Sequence, residues 1–191
     1  MTRSDISPRH DAPVELTTAR LHLRPFTAAD RDAIHAIYSD PVVMRHVGHG
    51  PHRSTADTDA ALSAFRRTLE RRGISFLAVI ERSTGRLIGD AGLYPLEGAD
   101  DDIELGYTLA RDAWGRGYAT EAAQALVEHA RTELDVARVV ATVDPANDAS
   151  KHVLEKVGMT ASGGRTAYGR PHAVYAVELR RPAPPDPQPR G

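Results

Sequence analysis

The chain has no cysteine at any of its 191 positions. That absence excludes a disulfide framework, cysteine-ligated metal and thiol catalysis, and it agrees with a reducing compartment, so a cytoplasmic location is expected. Long apolar runs are missing too; no stretch reaches membrane-spanning length, and no membrane partner is expected. Residues 1–10, MTRSDISPRH, have no apolar centre, so no signal peptide is expected. An excess of either charge is also lacking. Lys plus Arg is 24 and Asp plus Glu is 26, leaving −2. A nearly neutral chain gives no general attraction to nucleic acid, and an anionic ligand must be held by local groups.

What remains is the composition of one globular domain, with 41% hydrophobic and 26% charged residues. Residues 1–13 are polar, carry Pro8 and Pro13, and are expected to form a loose lead-in. Residues 182–191, PAPPDPQPRG, read as a proline-rich disordered tail, which leaves 14–181 as the folded domain. Apolar alternation predicts a first strand over Arg20–Phe26. Thr27 is placed to cap a helix from Ala28, which Asp40-Pro41 ends, and Ser54 or Thr55 to cap a second that stops at Gly73. Ser75–Glu81 and Leu87–Leu93 read as a hairpin about Ser83-Thr84-Gly85, and Ile103–Leu109 as a further strand. Ala123, Leu126, Val127, Ala130 and Leu134 mark one side of a long helix. A strand at Val139–Val143, a short helix at Ala149–Val157 and a hairpin over Met159–Tyr168 and His172–Leu179 follow. A helix between two strands predicts a parallel pair, the hairpins antiparallel edges. The expected fold is α/β (mixed α+β), a mostly antiparallel sheet of about seven strands with about four helices.

The segment Trp114-Gly-Arg-Gly-Tyr-Ala-Thr-Glu121 lies between a strand and that long helix. Glycines at 115 and 117 permit a tight turn that aims successive N–H groups one way, and the helix start adds unpaired amides and a positive dipole end. That is a diphosphate site in outline, with Arg111 and Arg116 adding charge. The same glycines also suit a plain connector. A Walker loop is excluded by the missing Lys, and a dinucleotide fingerprint by Thr120 where glycine or alanine is needed. Downstream, Asn147 and Ser150 stand at a helix start, where such residues usually cap.

Taken together, WGRGYATE at 114–121 and NDASKHVLEKVGM at 147–159 resemble the GNAT acetyltransferases, and within them the RimJ/RimL-type ribosomal-protein N-terminal acetyltransferase-like group. The opening LTTARLHLRPF at 16–26 and IELGY at 103–107 resemble it as well. The resemblance implies the GNAT fold with one splayed parallel strand pair, acetyl-CoA as co-substrate and no metal. It implies that the diphosphate sits on Gly115, Arg116, Gly117, Tyr118, Ala119 and Thr120 beside Trp114, with the pantetheine arm along Thr108, Leu109 and Ala110. Asn147, Ser150 and Lys151 complete the implied coenzyme contacts. Trp114 is common in this subgroup, although many other members carry Gln or Arg there. Where many members use a Tyr as proton donor to the thiolate, this chain has Leu154, which leaves Ser150 as the candidate acid.

An amine attacks only when neutral. At pH 7 about a tenth of a chain-terminal amine is neutral, but only about one in several thousand of a lysine amine. Glu104 is the candidate base, the alternative being an exposed carboxylate beside the Asp100–Asp102 turn. The leaving thiol has a pKa near 8.5, so it needs little protonation, and strand amides near Tyr107 are candidates to hold the developing oxyanion. Tyr94, Tyr107, Tyr168 and Arg170 are expected to bind the acceptor, and Glu97 and Asp100–Asp102 to attract it. His46, His49 and His52 lack a local carboxylate, and no metal is expected. The acceptor is expected to be a primary amine, either a protein N-terminus or a small molecule such as an antibiotic, polyamine or amino acid. The alternatives are a transferase using a longer acyl-CoA such as succinyl-CoA, and a non-catalytic acyl-CoA-binding sensor. The chain is expected to be a monomer or homodimer.

Overall fold

A computed structural model describes residues 14–96 and 102–179. The expected lead-in, the proline-rich tail, Glu97, Asp100 and Asp101 lie outside the described residues. Among the described residues four α-helices accompany eight strands, numbered here in chain order. They are β1 Leu16–Thr17, β2 Leu21–Arg24, α1 Arg31–Tyr38, α2 Thr55–Arg72, β3 Phe76–Glu81, β4 Arg86–Pro95, β5 Asp102–Leu109, α3 Tyr118–Glu133, β6 Arg138–Val143, α4 Asp148–Lys156, β7 Thr160–Ala167 and β8 Arg170–Glu178. The eighth strand beyond the expected seven is β1, whose two residues are too few to show a period; Leu16 pairs with Leu23.

The local signals act through identifiable bonds. Gly73 ends α2 in the left-handed conformation at φ 68°, and its N–H reaches Leu69 O at 2.8 Å. Ser54 and Asp57 form a capping box at the other end of α2. Residues Ala28–Asp30 make a short 3-10 turn before α1 rather than its first turn. There the Asp30 carboxylate accepts from Thr27 N–H at 2.7 Å and from both Arg24 nitrogens at 2.7 and 2.9 Å, fastening α1 to β2.

The sheet order is β1-β2-β3-β4-β5-β6-β8-β7. Every neighbouring pair is antiparallel except β5 with β6, which the α3 crossover makes parallel. That pairing holds only for Asp102↔Arg138, Ile103↔Val139 and Glu104↔Val140. Beyond it β6 stays with β8 as far as Val143↔Ala173, while β5 stays with β4 as far as Leu109↔Gly89. The two parallel strands therefore part into a wedge. One face of the sheet buries Leu23, Leu77, Val79, Ile88, Leu93 and Leu105 against Tyr118, Ala122, Leu126 and Leu154 of α3 and α4. A smaller cluster about Ile34, Ile37, Tyr38 and Met44 packs with Phe26, Leu62 and Leu87.

Candidate active site

The 115–120 segment follows the end of β5. Gly115 and Gly117 adopt φ of 71° and 79°, and Gly117 is the N-cap of α3, which begins at Tyr118. Added Cβ atoms would meet nothing at Gly115 and only an Arg20 nitrogen at 3.4 Å at Gly117, so conformation rather than space calls for glycine. The first α3 amide with a backbone acceptor is that of Glu121, on Gly117 O at 3.0 Å. Among the described residues no hydrogen bond engages the amides of Gly115 through Thr120.

Side chains around the segment hold it rather than extend it. Trp114 Nε1–H donates to Leu109 O at 2.8 Å. Arg20 Nε donates to Glu121 at 2.6 Å, and its Nη1 to Arg116 O at 2.9 Å. The Arg20 and Arg116 guanidinium groups lie 4.6 and 4.7 Å from the Tyr118 ring centre. Arg116 also donates to buried Glu81 at 2.9 Å, and Tyr118 OH donates to the same carboxylate. Arg111 is paired with Asp40 at 3.8 Å. Arg111 and Arg116, expected to add charge here, are thus each paired with a carboxylate.

The wedge opens into a cavity of about 830 Å³ that brings together seven of the expected site residues: Tyr94, Glu104, Tyr107, Thr108, Asn147, Ser150 and Tyr168. Glu104, half-buried on β5, stands directly across from Tyr94 on β4. Tyr107 OH lies 2.9 Å from Ser150 Oγ, and burial pushes the phenol up to about 12. Asn147 does act as a cap, its Oδ1 accepting from Ser150 N–H at 3.1 Å. Tyr168 stands in the β7–β8 turn with φ 52°, the single non-glycine residue of that kind among those described, and its ring packs on His49 and His172.

The other expected residues stand apart from the cavity. Lys151 Nζ is tied to Asp148 at 3.0 Å and to Pro145 O, and Arg170 is paired with Asp144 at 3.2 Å. Leu109 is buried with its carbonyl on Trp114, and Ala110 N–H is bonded to Ile88 O at 2.9 Å, so part of the 108–110 backbone is already engaged.

Residues to which the sequence assigns no catalytic or acceptor role also line the cavity. His46 Nδ1 is 3.0 Å from Asp144 Oδ2, a partner 98 positions away with no local signature. His46, the Ala146 amide and Arg170 hold the Asp144 carboxyl below its usual range. Asp90, on β4, is 2% exposed; burial pushes it up to about 7 against hydrogen bonds from Tyr38 and Thr108. A lone acid within Leu87-Ile-Gly-Asp-Ala-Gly-Leu93 was the available signal for it. Among the described residues no group of three or more His, Asp or Glu converges as a metal site, and no helix is long and apolar enough to cross a membrane.

A helix start with unengaged amides, a splayed parallel pair and a cavity lined by carboxylates and hydroxyls fit an acyl-CoA-dependent transferase. Residues 20–160 match the family described as the acetyltransferase (GNAT) domain. The chain belongs to the GNAT acetyltransferases. It is 30% identical over 169 residues to the uncharacterized N-acetyltransferase p20 of Bacillus licheniformis, covering 86% of this chain and 94% of that protein. An acetyltransferase of Agrobacterium tumefaciens shares 29% identity at a TM-score of 0.76, covering 88% and 96% of the two chains. RimJ of Mycobacterium smegmatis, solved in complex with CoA-disulfide, shares the fold at a TM-score of 0.73 and 21% identity, covering 91% and 90%.

Proposed function

We propose that this chain moves the acetyl group of acetyl-CoA to a primary amine in a ternary complex. One observation carries the reading: a cavity with Glu104 and Ser150 on its walls lies in the wedge between β5 and β6, and six open amides stand just beyond the end of β5. The residues present fit the coenzyme. The amides of Gly115–Thr120 suit its diphosphate, and β5 past Glu104, no longer paired with β6, offers its backbone to the amide-bearing arm.

Glu104 takes the proton of the incoming ammonium, directly or through water, so that the nitrogen attacks as a free amine. The new N–C bond forms as the C–S bond breaks, the electron pair leaves on sulfur, and the second proton lost by the nitrogen passes through water to the departing thiolate. Ser150 and Tyr107 act on that sulfur as a pair, their hydroxyls 2.9 Å apart. Tyr107, with its raised pKa, stays neutral and donates a hydrogen bond rather than a full proton, which suffices for a thiol of pKa near 8.5. The described lining residues include no Lys or Arg, which favours the neutral acetyl group over a carboxylated acyl such as succinyl. Thiol release from acetyl-CoA with a panel of peptides, aminoglycosides, polyamines and amino acids tests this. Release with at least one amine is expected. Silence with all of them, alongside normal coenzyme binding, contradicts it and leaves a sensor.

A further inference from the structure

The geometry points to an acceptor with two amino groups, the second of which, unreacted, seats on Asp90. This inference rests on the acetyl-transfer reading and names the substrate class of the same cavity. The register of β4 with β5 sets Asp90 across from Thr108, Gly92 across from Gly106, and Tyr94 across from Glu104. Alternate residues share a face, so one row of the sheet runs from Glu104 past two glycines to Thr108, with Asp90 beside it. Four strand residues span about 13 Å. The glycines make room for Phe76, whose ring lies 2.8 Å from where a Gly106 Cβ would stand, so the floor between the acids is an aromatic surface flanked by Phe65 and Tyr94.

Asp90 is the unusual member of that row. It lines the cavity, is 2% exposed, and its Oδ1 has no hydrogen-bond partner among the described residues. A buried carboxylate oxygen without a partner is costly, and a cation drawn against it removes the cost. Three carboxylates line the cavity, Asp90, Glu104 and Asp144, with no Lys or Arg among the described lining residues to balance them. Asp144 is matched by His46 and Arg170. Glu104 and Asp90 remain, one at each end of an aromatic-walled floor that suits a flexible cation. A linear amine with nitrogens separated by that span, less the reach of the two side chains, meets both.

The test compares 1,8-diaminooctane with octylamine and with 1,3-diaminopropane in a thiol-release assay on the wild-type chain and on Asp90→Asn. The wild-type chain should prefer the long diamine to octylamine at least tenfold in kcat/KM, mostly through KM, and should gain little from the short diamine. Asp90→Asn should bring the long-diamine preference to within about twofold of unity. Equal use of 1,8-diaminooctane and octylamine by the wild-type chain overturns the inference, as does an unchanged preference in a folded variant. If Asp90→Asn does not fold, the wild-type chain-length comparison decides alone. Absence of thiol release with every amine rejects the acetyl-transfer reading instead; calorimetric titration of 1,8-diaminooctane into the wild-type chain and Asp90→Asn then tests Asp90 separately. Binding lost in the variant supports the seat, and equal binding removes it.

Discussion

The anion-ready loop and the acceptor side of the cavity are assembled in different ways. The loop is six consecutive residues, 115–120, whose left-handed glycines and helix start turn a row of amides in one direction. The cavity draws on residues from Tyr38 to His172, and its polar pairs bridge distant positions, His46 with Asp144 and Tyr107 with Ser150. On the proposed reading the loop binds the donor through backbone, and the cavity binds the acceptor through side chains that no single segment supplies. On that reading single substitutions should remodel one half and leave the other intact.

The sharpest way to break the comparison is at Glu104. Glu104→Gln should lower turnover with lysine-like amines by about 10²–10³-fold at pH 7. The gap should narrow as pH rises toward the amine pKa near 10.4, where free amine no longer needs a base. A pH–rate profile identical to wild type would remove Glu104 from the chemistry. Gly117→Val addresses the other half. A branched residue forced to positive φ costs about 1–2 kcal/mol, and moving the amides should weaken acetyl-CoA binding tenfold or more by calorimetry. Amine KM should follow far less, and equal loss on both sides would dissolve the distinction.

A smaller effect is expected at the hydroxyl pair. Tyr107→Phe and Ser150→Ala should each lower kcat severalfold with amine KM nearly unchanged, and the double variant should lose less than the product of the two, as groups acting together do. Fully multiplicative losses would mean that the two hydroxyls act independently. The smallest effect concerns stability. Asp90 is raised to about 7 by burial, so the fold holds its proton where the unfolded chain, near 3.9, does not. Wild-type stability therefore drains away as pH climbs from about 4 to about 7 and is level above. Asn does not titrate, so Asp90→Asn should gain on wild type by roughly 2 kcal/mol between pH 5 and pH 8 in urea unfolding. A pH-independent difference would show that Asp90 titrates normally.

The same contrast explains what could be read from the residues. The α3 stripe, the Gly73 stop, the hairpins and the parallel pair follow from periods and turn residues within short windows, and all four are present. The glycines at 115 and 117 were legible because a backbone conformation leaves its mark on the residue that adopts it. Strand β1 escaped because two residues carry no period. The pairings of Arg116 with Glu81 and of Arg170 with Asp144 join residues far apart in the chain, which no local pattern marks. The roles of Asp90 and His46 are not legible in sequence, because a buried acid or a paired histidine gains its meaning from neighbours that only the sheet register and the loop return bring close.

The central claim is that the amides from Gly115 to Thr120 grip the coenzyme diphosphate while the wedge between β5 and β6 takes its arm. A crystal structure of this chain soaked with coenzyme A tests it most directly. The account predicts diphosphate oxygens within hydrogen-bond distance, about 2.7–3.2 Å, of several of those amides, and the thiol near Ser150 and Tyr107. A diphosphate bound elsewhere, with the 115–120 amides left to solvent, would contradict it.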